Sequence, residues 1–214
     1  MARITVLGGT GYAGGHIVSE AAKRGHEVTS VSRTAPASAI DGVRYLHGSV
    51  LDANLLSQAL ADADVVVSAV APRGELEGRI EEAVAGIAAA AQQAGVRLGV
   101  IGGAGSLHVS ADGPRLYDTE VFPEAYLPEA RAMGAVLDAL RVSPQALDWF
   151  LVCPAVGFGG YAPGEATGKY RVGGDVLLAD DQGVSFISGA DLAVAIVDEI
   201  ETPRHRRQRF TVAY

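Results

Sequence analysis

Short apolar runs and amphipathic stretches alternate along the chain. Arg3–Leu7 is a β-branched run ending at Gly8-Gly9, which predicts a buried strand. Ala13–Arg24 carries Ile17, Val18, Ala21 and Ala22 at helical spacing and stops at Gly25, which predicts a helix. Glu27–Ser32 and Val43–Leu46 read as the second and third strands, and Asp52 as the N-cap of a helix running to about Leu60. Asp64–Val70 predicts a fourth strand, uniformly apolar as central parallel strands are. Glu75–Ala94 predicts a long Ala-rich helix closed by Gly95, and Val96–Ile101 a fifth strand. Glu124–Val142 reads as a helix broken near Pro128, and Leu147–Cys153 as the sixth strand. Ala190–Ile200 is the last predicted helix and Phe210–Ala213 a terminal strand.

This alternation, free of internal repeats, predicts an α/β protein with a parallel sheet covered by helices on both faces. No stretch reads as a linker. A length of 214 residues also points to a single domain over residues 1–214. Two irregular stretches, Leu107–Phe122 and Ala155–Ser185, follow the fifth and sixth strands and are rich in Gly, Pro and Tyr. Ligands of open α/β sheets bind beyond the carboxyl ends of the strands. The substrate-side loops are therefore expected near 107–122 and 155–185.

Composition narrows the function classes. Hydrophobic residues make up 49% of the chain, ordinary for a folded protein and too many for a disordered one. Seventeen Lys and Arg against 25 Asp and Glu leave a net charge of −8, which argues against nucleic-acid binding. The Arg204, Arg206, Arg207 and Arg209 cluster then reads as a solvated edge. One cysteine, Cys153, forms no intrachain disulfide and sits in an apolar strand as a core thiol. The five histidines are scattered, so no metal site is expected. No signal-peptide pattern and no membrane-spanning run is visible, so a cytoplasmic protein without membrane partners is expected, either monomer or homodimer.

The chemistry concentrates in Gly8-Gly9-Thr10-Gly11-Tyr12-Ala13-Gly14-Gly15, between the first strand and the first helix. Gly8 permits the turn, Gly11 lets a pyrophosphate approach the backbone, and Gly14 lets helix pack closely on strand. Amides at the helix start and its dipole then face the phosphates. In this strand–turn–helix context the motif predicts a Rossmann-like doubly wound sheet that binds a dinucleotide. The usual acid at the end of the second strand, which holds a ribose 2′-hydroxyl, is missing. Ser32, Arg33 and Thr34 stand there instead. They suit a 2′-phosphate, with Arg33 as its charge partner, so NADP(H) is expected over NAD(H); the competing reading of Arg33 is a solvated surface side chain.

These residues resemble the atypical branch of the short-chain dehydrogenase/reductase superfamily, and most of all the NAD(P)H-flavin reductases related to biliverdin reductase B. The likeness covers nearly the whole chain. It is carried by Gly8–Gly14, Gly48-Ser-Val-Leu-Asp52, Ser68-Ala-Val70, Gly102-Gly-Ala-Gly-Ser106 and Gly183–Ala193. It implies that Val50 and Asp52 lie near the adenine, that Ala69 and Val70 line the adenosine side, and that Gly103 belongs to the cofactor site. It further implies that Ser106 sits near the nicotinamide. Asp52 also reads simply as a helix cap.

Two departures limit the resemblance. The superfamily's Y-x-x-x-K pattern fails at Tyr126, because Ala130 stands four residues on. Without a neighbouring cation a tyrosine is a poor proton donor at neutral pH, so Tyr126, although a catalytic candidate with Ser106, reads better as a pocket wall. Val156 stands where biliverdin reductase B has a histidine, so tetrapyrrole reduction is not carried over. His108 is a candidate proton shuttle or an ordinary loop histidine. Phe158, Tyr161 and Tyr170 are expected to form an aromatic pocket for a small planar acceptor, a flavin or a quinone. Hydride transfer from NADPH to that acceptor is the expected activity. The alternatives are an NADP(H)-binding redox sensor without turnover and an epimerase or dehydratase of the extended type.

Overall fold

The computed structural model describes residues 1–214. The elements run β1 (Arg3–Leu7), α1 (Tyr12–Lys23), β2 (Glu27–Ser32), β3 (Arg44–His47), α2 (Ala53–Leu60), β4 (Val65–Ser68) and α3 (Ile80–Ala94). They continue with β5 (Arg97–Ile101), α4 (Leu127–Arg141), β6 (Trp149–Cys153), β7 (Arg171–Gly173), α5 (Gly189–Glu201) and β8 (Gln208–Ala213). All eight strands form one sheet in the order β3-β2-β1-β4-β5-β6-β8-β7. Every pairing is parallel except that of β7 with β8. The protein is thus a Rossmann-like α/β fold, as its alternating pattern predicts.

Residues of the central strands alternate between two cores. Leu7, Val66, Leu98, Leu151 and their neighbours pack under α2, α3 and α4. Ile4, Val6, Val67, Phe150 and Val152 pack under α1 and α5. Each fully buried Leu, Ile or Phe contributes roughly 1.5–3 kcal/mol, which is why strands buried on both faces read as unbroken apolar runs. The chain runs outward from β1 through β2 to β3 and then crosses back to β4 on the other side of β1, so the strand order reverses between β1 and β4. Such a reversal opens a crevice at the carboxyl ends of the strands.

The structure corrects the predicted elements in three places. Pro128 lies in the first turn of α4, where no helical bond needs its N–H, so it starts the helix without breaking it. The predicted Glu75–Ala94 helix begins only at Ile80. Gly74 and Gly78 adopt φ of +59° and +69°, which set off a short 3₁₀ turn, Gly74–Leu76, from the helix proper. Strand β7 falls inside the stretch expected to be irregular. It is three residues long and mostly exposed, so it has no apolar pattern to read.

Candidate active site

The glycine turn is built by close approach. Gly8 has φ +82°, and a Cβ there would stand 2.8 Å from the Ala69 carbonyl oxygen at the end of β4. A Cβ on Gly14 would stand 2.2 Å from the Gly8 carbonyl oxygen, so only glycine lets α1 lie against the turn. The Gly8 amide donates to the Val31 carbonyl at 2.8 Å and the Thr10 amide to Ser32 Oγ at 3.0 Å, which ties the turn to β2. Gly11 is the N-cap of α1, and no side chain caps the helix. Its first-turn amides and positive dipole end are left for an anion.

A cleft of about 1180 Å³ lies over this turn, with Gly8, Thr10, Gly11 and Tyr12 along its floor. At one end stand Ser32, Arg33 and Thr34, with Val50 beyond β3. Thr10 Oγ1 and Thr34 Oγ1 are 3.2 Å apart. Ala69, Val70 and Gly103 line the middle. The far end is walled by Val121, Phe122 and Tyr126 before and at the start of α4, and by Val156, Phe158 and Tyr161 after β6.

Two ion pairs cross the lip. Arg33 Nη1 donates to Glu75 Oε2 at 3.2 Å, and Arg73 pairs with Glu129 through two bonds of 3.0 and 3.1 Å. Both pairs start from the segment between β4 and α3, which carries Arg73 and Glu75 either side of Gly74. Glu129 holds the Arg73 guanidinium above its ordinary pKa.

A family profile described as NAD(P)H-binding matches residues 8–203, from the first glycine of the turn to just past α5. The chain belongs to the NAD(P)H-binding family. Three solved structures resemble this NAD(P)H-binding protein over its full length, each with a TM-score of 0.89. One is a candidate exported protein of Burkholderia pseudomallei, 40% identical, with all of its chain covered. Another is a candidate NADH-flavin reductase of Streptococcus pneumoniae, 33% identical, with 99% covered. The third is a candidate epimerase of Bacteroides thetaiotaomicron, 32% identical, with 97% covered.

The cradle fits a dinucleotide. A glycine-only approach, an uncapped helix start and hydroxyls at the end of β2 together suit a pyrophosphate and a ribose. In this NAD(P)H-binding protein Gly8, Thr10, Gly11, Tyr12, Ser32, Arg33, Thr34, Val50, Ala69, Val70 and Gly103 all meet the cleft, while Gly14 acts beneath it by helix packing. Asp52 does not reach it. Its carboxylate accepts from the Asn54 and Leu55 amides at 2.9 and 3.3 Å, so it serves as the cap of α2.

Ser106 is the main correction among the catalytic candidates. It is buried, its hydroxyl donates to the Gly103 carbonyl at 3.1 Å, and Arg209 donates to its carbonyl and hydroxyl at 2.7 and 3.2 Å. The serine braces the turn after β5 from behind and does not line the cleft. Tyr126 does line it, more than half exposed. Ala130, four residues on, lines the same wall, and the Arg73 guanidinium is the cation within electrostatic reach of Tyr126. Cys153 lies 3.8 Å from Ser106, and burial pushes its thiol up.

Phe158 and Tyr161 meet the cleft as expected, and Phe158 packs on Tyr12. Tyr170 does not. It lies on the far side against α5, donates to Asp198, and its hydroxyl is pushed up to about 12 by burial and then by that carboxylate. His108 also points elsewhere, with Nδ1 2.7 Å from the Gly113 carbonyl inside its own loop. Arg73, Glu75 and Glu129 are cleft residues that the sequence pattern hid. The one signal for Arg73 and Glu75 was Gly74 just before the predicted Glu75–Ala94 helix and Gly78 inside it.

Proposed function

We propose that the protein is an NAD(P)H-dependent oxidoreductase that passes a hydride to a planar conjugated acceptor, a flavin or a quinone, and prefers NADP(H) to NAD(H). The observation that carries this reading is the far half of the cleft, where aromatic and apolar walls surround a tyrosine that has Ala130 and not a lysine four residues on. Reducing a ketone makes a localised alkoxide that needs a strong proton donor. A conjugated acceptor spreads the charge, so positioning and backbone donors suffice. The bound cofactor supplies the hydride. The chain's own work is to hold it. The Gly8–Gly14 turn and the start of α1 take the pyrophosphate, and Ser32, Arg33 and Thr34 take the 2′-phosphate. Phe158 and Tyr161 on one side, with Phe122 and Tyr126 on the other, hold a flat ring system in the far end of the cleft.

Following NADPH absorbance on addition of riboflavin, FMN or a quinone tests the activity. Consumption that tracks the acceptor supports it, and steady NADPH in the presence of all three rejects it. A second reading, an epimerase, is favoured by the likeness to the Bacteroides protein. An epimerase regenerates its cofactor at each turnover, so net NADPH consumption separates the two.

A further inference from the structure

We propose that Glu75 narrows the NADP(H) preference given by Ser32, Arg33 and Thr34, by competing with the 2′-phosphate for Arg33. The proposal rests on the dinucleotide reading of the cleft given above. The cleft lining contains two cations, Arg33 and Arg73, and each is matched by a carboxylate, Glu75 and Glu129. The acid that the end of β2 lacks is therefore present after all, delivered from the segment between β4 and α3.

Glu75 is the fixed partner of its pair. It sits in the Gly74–Leu76 turn, whose Leu76 side chain is buried in the core under α3. Ser49 Oγ lies 3.0 Å from both of its carboxylate oxygens. Arg33 is the freer partner, with its side chain 55% exposed against 34% for Glu75. A 2′-phosphate seated on Arg33 thus enters a site whose guanidinium is already shared, and meets a held carboxylate on the same cation. A 2′-hydroxyl has the opposite relation, because it donates a hydrogen bond to a carboxylate. One side chain therefore weakens NADP(H) and supports NAD(H).

Removing one unit charge that faces a nearly dianionic phosphate a few ångströms away at a partly exposed site is worth roughly tenfold in affinity. In Glu75→Gln, the dissociation constant for NADPH should fall about tenfold while that for NADH stays level or rises. Adenosine 2′,5′-bisphosphate should follow NADPH and adenosine 5′-monophosphate should follow NADH, which confines the effect to the 2′ position. Ser49→Ala, which frees the carboxylate without removing it, should move the ratio the same way by a smaller factor. Titration of all four ligands into the wild type and both variants decides the matter. A Glu75→Gln ratio of NADPH to NADH affinity within twofold of wild type overturns this proposal and leaves the dinucleotide reading standing. Binding of neither dinucleotide by the wild type overturns both.

Discussion

Tyr12 and Phe158 pack edge to face with ring centroids 5.4 Å apart, so the glycine turn and the loop after β6 meet directly. The Tyr12 hydroxyl extends the link by donating to the Pro163 carbonyl at 3.2 Å and accepting from the Gly189 amide at 3.1 Å. The residue that opens α1 therefore also braces the wall of the acceptor end. Phe158→Ala should raise the acceptor KM about tenfold and the NADPH KM two- to threefold, since a well-placed aromatic contact is worth about 0.5–1.5 kcal/mol beyond its buried area. Phe158→Leu, which keeps apolar bulk, should recover most of the loss on the dinucleotide side. Steady-state kinetics with both substrates varied checks this, and an unchanged acceptor KM in the alanine variant would place the acceptor elsewhere.

Gly14→Ala brings a methyl to 2.2 Å from the Gly8 carbonyl oxygen, backbone against backbone. Neither partner is the flexible end of a side chain, so α1 must shift away from the turn. Overpacking of this kind destabilises by roughly 1–3 kcal/mol. The variant should melt several degrees lower and lose most of its dinucleotide affinity. Gly25→Ala tests the other use of glycine. Open space surrounds its Cβ position but φ is +79°, so that change should lower stability and leave cofactor binding intact.

Ser106 and Tyr126 separate bracing from catalysis. Ser106→Ala removes hydroxyl bonds to Gly103 and Arg209 behind the cleft. It should cost about 1 kcal/mol or slightly more in stability, and less than about tenfold in kcat/KM. Tyr126→Phe should keep most flavin reduction, since Tyr126 acts as a wall. Thermal melts and kinetics on the two variants check both statements, and abolished turnover in Tyr126→Phe would show that its hydroxyl is the proton donor.

Acid stability should report on Asp191. Burial raises its carboxyl, but hydrogen bonds from Tyr214, from Thr167 and from the Gly168 amide outweigh that and hold it below the ordinary carboxylate range. A pKa depressed in the folded state means that the carboxylate's stabilisation is fully present above the unfolded value. It is lost as pH falls through the folded value. Stability of the wild type should therefore drop on acidification below about pH 4. Asp191→Asn should be less stable at pH 7, with a shallower further loss below pH 4. Denaturant melts across that range measure the difference. Parallel curves would mean that other carboxylates, Glu199 among them, dominate the acid limb.

Most strands and helices were legible because each is buried on a defined face. The β6 run is apolar throughout, β1 and β4 are apolar but for Arg3, Thr5 and Ser68, and α1 carries its buried Ile17, Val18 and Ala21 on one stripe. The glycine turn was legible for the same reason, since its spacing is dictated by backbone approach. What escaped depends on contacts between distant segments. Glu75 is an ordinary helix residue by pattern, and only the positive φ of Gly74 and Gly78 turns it toward Arg33. Ser106 carries the expected motif, but Arg209, 103 residues away, fixes it behind the cleft. Tyr170 sits in the expected aromatic segment, yet β7 pairs with β8 and carries it over to α5.

Hydride transfer to a flat conjugated acceptor, as proposed above, needs no dedicated proton donor on the protein. The most direct measurement is an anaerobic single-turnover mixture of the wild-type protein, NADPH and FMN, followed at the absorbance bands of both. It should show loss of NADPH and bleaching of FMN with the same rate constant and in equal amounts. A parallel reaction with a simple ketone should be far slower. NADPH that binds but is not consumed, or a ketone reduced faster than FMN, would rule out hydride transfer to a conjugated acceptor as the activity.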